Sequence, residues 1–141
     1  VAGFLATDFL FKGHLMAWDL SYITKKVEEQ AVEHAQDIAL EMYREINELS
    51  PVLTSLYVSH WTISVGYPEN LLDENRMLGR GGAYLAGGRD EVLKMKTLQD
   101  IWIQNLVHYA PDLEMGKSKQ APDGVMRVVF PVVARKWGYL A

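Results

Sequence analysis

Glu114 is the carboxylate best set for acid-base chemistry in this sequence: with Asp112 it lies between Tyr109 and Gly116, just after His108, in a segment crowded with turn residues and short polar side chains. A small hydrolase or ligand-binding domain would use Glu114, Tyr109 and His108 in a pocket; as a glycoside hydrolase it would need a second carboxylate roughly 5 to 10 Å from Glu114 across a cleft, and the sequence names none. The alternative for Glu114 is structural, a carboxylate that accepts backbone N–H or hydroxyl donors within the turn or pairs with an Arg or Lys of the next subunit. His34, Asp37 and Glu41 recur on successive turns of a helical pattern and could present an imidazole and two carboxylates on one face. A metal centre needs at least three converging ligands with supporting bonds. No HExxH pattern is present, so a solvated helix face is expected and no metal, cofactor or catalytic residue is assigned. Gly79-Arg80-Gly81-Gly82 lacks the Gly-Lys-Ser/Thr of a phosphate loop. Ser50, Ser55, Ser59, Ser64 and Ser118 lack the Gly-x-Ser-x-Gly context of an activated nucleophile. His60 beside Trp61 and His108 beside Tyr109 read as half-buried strand or turn residues.

The elements that must position these residues are unevenly marked. Leu20, Ile23, Val27, Ala31, Ala35, Ile38, Met42, Ile46 and Leu49 recur at three- and four-residue steps, which predicts a helix over 20–49 with Lys25, Lys26, Glu29, Glu33, Asp37, Glu41, Arg44 and Glu48 on its other face. Asp19 or Ser21 can cap its start and Pro51 ends it. Such a rod is about 45 Å long and needs a sheet or a partner subunit to cover its stripe. Residues 56–65 suit a strand, with imperfect alternation at His60 and Trp61. Six glycines and Pro68 in the stretch 66–88 predict a long loop without regular structure. A short helix is expected over 89–97, then strands over 101–105 and 125–133, the last ending, bulging or lying at an edge at Pro131. Together these elements predict an α+β fold, one long helix laid across a small, mainly antiparallel sheet, with a short second helix and a long inter-strand loop.

Composition narrows the function. A chain of 141 residues, 49% of them apolar, fits one domain over 1–141. The absence of cysteine removes disulfides, thiolate metal sites and cysteine nucleophiles, and suits a reducing cytoplasm. No apolar run approaches the roughly 20 residues of a membrane-spanning helix, and the opening VAGFLATDFLFKGHLMAW lacks a basic leader and a small-residue cleavage site, so secretion is not expected. A net charge of −4 argues against a surface that grips nucleic acid. The aromatic and aliphatic residues of the first eighteen, among them Phe4, Phe9, Phe11 and Trp18, suit an extra strand or helix on the core or an arm that docks on a neighbouring copy.

Two blocks carry the most specific pattern. One is Ser50-Pro51-Val52-Leu53-Thr54-Ser55 followed by His60-Trp61-Thr62-Ile63-Ser64-Val65. The other runs through Asn105, Tyr109, Leu113, Glu114, Gly116, Ser118, Gln120, Ala121, Pro122 and Gly124. Over about half the chain they resemble the neck and tail-completion proteins of tailed bacteriophages. Members of that family read roughly S-P-V-D-T-G, then a strand containing S-W, then N-x-x-P-Y-A-x-x-L-E-x-G-x-S-x-Q-A-P-x-G. Leu53 stands in place of Asp, Ser55 in place of Gly, and His108 in place of the Pro before Tyr-Ala. Losing that Asp and Gly predicts a first turn of a different type, without a positive-φ residue. The resemblance implies a virion structural protein, not an enzyme. It would form a ring of six copies in the neck or at the tail end, against head-closure or tail-tube proteins, with DNA passing through the lumen without specific binding. Such a protein is assembled in the host cytoplasm and is not a membrane protein. Phe9, Phe11, Trp18, Arg80, Tyr84, Arg89, Tyr109, Glu114 and Gln120 are the contacts this implies between subunits or rings.

Overall fold

The computed structural model describes the backbone of residues 9–12 and 15–141 and the side chains of residues 19–141. β1 (Phe9–Lys12) and β2 (Leu15–Trp18) pair antiparallel, with Phe9 opposite Trp18 and Phe11 opposite Met16. The side chains of Phe9, Phe11 and Trp18, and the rest of the proposed arm, lie outside the described residues.

α1 (Ser21–Leu49) follows the 3.6-residue pattern almost to the residue. Asp19 Oδ1 accepts the Ser21 N–H at 2.9 Å, satisfying one of the donors that a helix start leaves free. At the other end Ser50 Oγ donates to Ile46 O at 2.6 Å, and Pro51 prevents continuation. From Val32 onward the helix is covered, on a face turned by about one residue from the expected stripe: Val32, Ala39, Tyr43 and Ile46 join Ile63 and Val65 of β3 (Trp61–Val65) in one core, while Ala35, Ile38 and Met42 are half-buried beside it and Leu49 is exposed. Ile101 and Ile103 of β4 (Ile101–Asn105) pack against the same core. β3 and β4 form an antiparallel pair in which Ile63 faces Ile103. The fold is therefore α+β, a long helix with small antiparallel sheets and shorter helices.

Four element expectations are corrected. Residues 125–133 are not a strand but belong to the region of α6 (Met126–Lys136). Its valines have strand propensity, yet the buried set is Val125, Val129 and Val133, spaced by four, and that spacing buries a helix face against α1. Pro131 sits inside α6 and removes one backbone donor there. Residues 56–65 divide into α2 (Leu56–Ser59) and β3, so the broken alternation at His60 and Trp61 marks a helix-to-strand junction. His60 is fully buried there, with Nδ1 2.7 Å from Leu56 O.

The glycine-rich stretch contains α3 (Arg80–Ala86) despite Gly81 and Gly82. Two glycines cost about 2 kcal/mol of helix propensity. Against this, Ala83 is fully buried, and Tyr43 Oη lies 3.0 Å from Trp61 O and 3.2 Å from Ala83 O. α4 (Arg89–Leu93) is shorter than the expected 89–97. β3 is buried along its whole length, and α4 packs against it, with Val92 joining Ile63 and Val65 in the core.

Candidate functional site

The two blocks that carry the sequence pattern fold onto one another at the C-terminal end of α1. α5 (Ala110–Glu114) is a single turn with Pro111 in its first turn, and it delivers Glu114 to the start of α6. Val125, which begins α6, has no side-chain oxygen to cap with. Glu114 supplies the cap from a distance: Oε1 accepts the N–H groups of Val125 at 3.0 Å and Met126 at 2.9 Å, and Oε2 accepts that of Arg127 at 3.2 Å. A negative charge there also faces the positive end of the α6 dipole. Arg127 Nη1 returns a bond to Glu114 O at 3.2 Å, and Tyr57 donates its hydroxyl to Oε1 at 3.4 Å. Burial, and next the Glu114 charge, push the Tyr57 hydroxyl above its ordinary range, so it stays a donor.

The turn that links α5 to α6 depends on two glycines. Gly116 and Gly124 have φ of 88° and 83°. A Cβ at Gly116 would strike Pro122 O, and one at Gly124 would lie 2.7 Å from Glu114 O. Ser118 bridges to Ala121, and its hydroxyl accepts the Gln120 N–H at 3.2 Å.

Gln120 then ties this turn to the first block, its Oε1 accepting the Val52 N–H at 3.0 Å. Asn105 completes the tie by donating to Tyr57 O at 2.8 Å while accepting from Val107 N at 3.1 Å. Within the first block, Trp61 Nε1 donates to Ser50 Oγ at 2.7 Å, and the Trp61 ring meets Tyr57 edge-on at 5.6 Å. Ser55 has φ 63°, so the first turn keeps a positive-φ residue although no glycine is present, contrary to expectation. The Ser59 N–H bond to Ser55 O, at 3.0 Å, and a second bond from the Ser59 hydroxyl to the same oxygen hold it there.

The remaining residues named as contacts have partners within the chain. Arg80 Nη2 donates to Ser50 O at 3.1 Å. Arg89 lies over the Tyr84 ring at 5.7 Å, and Tyr84 in turn packs on Tyr43 at 5.4 Å. Tyr109 is half-buried, edge-on to the exposed His108 ring at 5.2 Å. Tyr109 also lines a groove of about 660 Å³ between residues 51–57 and 109–120. Glu114 and His108 do not line that groove.

His34, Asp37 and Glu41 do not converge, and no group of three metal-ligating side chains occurs among the described residues. His34 Nε2 lies 2.9 Å from Tyr139 Oη, and Glu41 accepts from Lys136 at 2.5 Å and from Trp137 Nε1 at 2.8 Å. Both anchor the end of α6 on α1. Sequence reasoning missed Tyr57 and Arg127 as partners of Glu114; each lies far along the chain from it, and no local pattern marks them. No helix among the described residues is long and apolar enough to cross a membrane. No protein-family model, curated protein or solved structure matches the chain.

Proposed function

We propose that this chain is a structural subunit of a tailed-bacteriophage virion, closing with identical copies into a six-membered ring in the neck or at the tail end. The observation that carries this reading is the junction of the two blocks. Ser50, Trp61, Asn105, Glu114 and Gln120 engage one another's segments, and their polar atoms serve the chain's own backbone and side chains. A carboxylate with three main-chain N–H groups and a hydroxyl on it is a structural acceptor. A catalytic base needs a free lone pair facing a cleft.

Uncovered apolar surface supports the same reading. Leu20, Ile23, Val27, Leu53, Phe130 and Val132 are exposed, which for a lone subunit is a liability and for a ring subunit is contact area. In a closed ring each subunit presents one surface to the neighbour ahead and a different one to the neighbour behind. The net charge of −4 suits a bore through which DNA passes without adhering. Adjoining head-closure or tail-tube proteins would stack on the ring faces.

Light scattering on the purified protein tests this, together with negative-stain imaging. Closed rings of uniform copy number are expected. A monodisperse monomer at high concentration, absent from purified virions, overturns the reading.

A further inference from the structure

The geometry points to a specific contact between copies: the projecting start of α1 from one copy seats its apolar side in the groove between residues 51–57 and 109–120 of the next. This inference rests on the ring reading and names the contact that would close the ring.

The donor is the first third of α1. Among the described residues the body covers the helix from about Ala31 onward, and residues 23–30 are all exposed. Along this projecting length Leu20, Ile23 and Val27 follow at steps of three and four, and so share one side of the helix. They are 52%, 46% and 60% exposed. A solvated helix end has no need of such a stripe, whereas a helix that docks into a groove reads its partner through anchors at these spacings.

The acceptor is the groove of about 660 Å³ walled by Pro51, Leu53, Leu56, Tyr109 and Leu113. Its volume falls within the roughly 300–1,000 Å³ of cavities that enclose an apolar body. Leu53, 90% exposed, lines it with little cover from the described residues.

Donor and acceptor sit at opposite ends of the same rod. α1 has 29 residues, so its two ends are about 44 Å apart. The helix is anchored along its second half by Tyr43, Gln36 and Glu41, so it cannot fold back to fill the groove beyond its own C-terminus. Only another copy can bring the stripe to the groove. Because the two surfaces differ, each such contact leaves one donor and one acceptor free, the condition for a ring.

Charge favours the same pairing. Lys117 and Lys119 stand on the groove, Lys117 already paired with Asp112 at 2.8 Å and Lys119 in no ion pair among the described residues. On the projecting helix Lys26 is held by Glu29 at 3.2 Å, while Glu28, Glu33 and Lys25 have no ion-pair partner among the described residues. Two carboxylates against one ammonium leave the helix net negative, opposite in sign to the Lys119 ammonium on the groove.

The chain has no cysteine, which makes a clean crosslinking test possible. Val27→Cys and Leu53→Cys are made singly and together, and each protein is mildly oxidised. The double variant should give a reducible ladder ending at the copy number of the ring. Mixed single variants should stop at a dimer, and either single variant alone should stay uncrosslinked. Val27→Asp should weaken association at least tenfold while the helical circular-dichroism signal is kept, and Glu28→Lys combined with Lys119→Glu should associate better than either alone. An oligomer that persists in Val27→Asp, or single variants that dimerise as readily as the mixture, overturns this contact and leaves the ring reading standing. A wild-type protein that is monomeric removes both.

Discussion

The Glu114 carboxylate joins three segments: α5, the start of α6 and, through Tyr57, α2. Hydrogen bonds to a charged group contribute about 1.5–3 kcal/mol each, and bonds sharing one carboxylate are not additive. Glu114→Gln keeps the shape but replaces one acceptor oxygen by an NH2 that points at main-chain N–H groups. It should lower stability by about 2–3 kcal/mol in urea unfolding at neutral pH. If Glu114 were a free catalytic base, the substitution would leave the urea midpoint where it was. Little of this was legible beforehand. That Glu114 acts on backbone donors matches the structural alternative read from its turn-rich setting, but the donors lie eleven to thirteen residues further on, in a segment read as a strand. At Ser55 the sequence misled in the opposite sense. Replacing glycine implied a different turn, yet the left-handed conformation survives, at a cost of about 1–2 kcal/mol, because Ser59 fastens the Ser55 carbonyl twice.

At the scale of elements, α1 could be read directly, since its period, Asp19 just before its start and Pro51 all agree with the fold. β4 was equally clear. α6 was not, because a run of valines with an internal proline suits either structure, and only the four-residue spacing of Val125, Val129 and Val133 against α1 decides it. α3 was hidden by Gly81 and Gly82, whose poor propensity is overcome by the buried Ala83 and by Arg80 reaching Ser50 O. α6 runs antiparallel along α1, and its end is held by Lys136 and Trp137 on Glu41 and by Tyr139 on His34. The bonds from Lys136 and then Trp137 hold the Glu41 carboxyl below its ordinary value of 4.5. Its contribution to stability is therefore fully present above that value and is lost as pH falls through the lower folded value. Urea midpoints of the wild type and of Glu41→Gln, measured from pH 7 down to acid, should differ at neutral pH and converge at low pH. A difference that stays constant with pH would show that the charge on Glu41 does not anchor α6.

For the whole molecule, exposed apolar side chains occur along most of the described chain, but Leu20, Ile23 and Val27 share one side of the free end of α1, and Leu53 lies at the opposite end of the rod. A body whose described residues leave the first third of its longest helix uncovered gains part of its stability from whatever covers that third. Stability and assembly are then linked, because a neighbour binds the folded chain and not the unfolded one. Under that linkage a hundredfold rise in protein concentration, starting at or above the Kd of the contact, adds about 2.7 kcal/mol per subunit. For a domain of this size that corresponds to an increase of about 5–10 °C in melting temperature. Val27→Asp should lie below the wild type and lose this dependence, since the substitution leaves the body of the fold untouched and removes only the anchored end. Scanning calorimetry over two decades of concentration reads both proteins side by side, and a wild-type melting temperature that does not move with concentration would mean that the chain completes its fold alone.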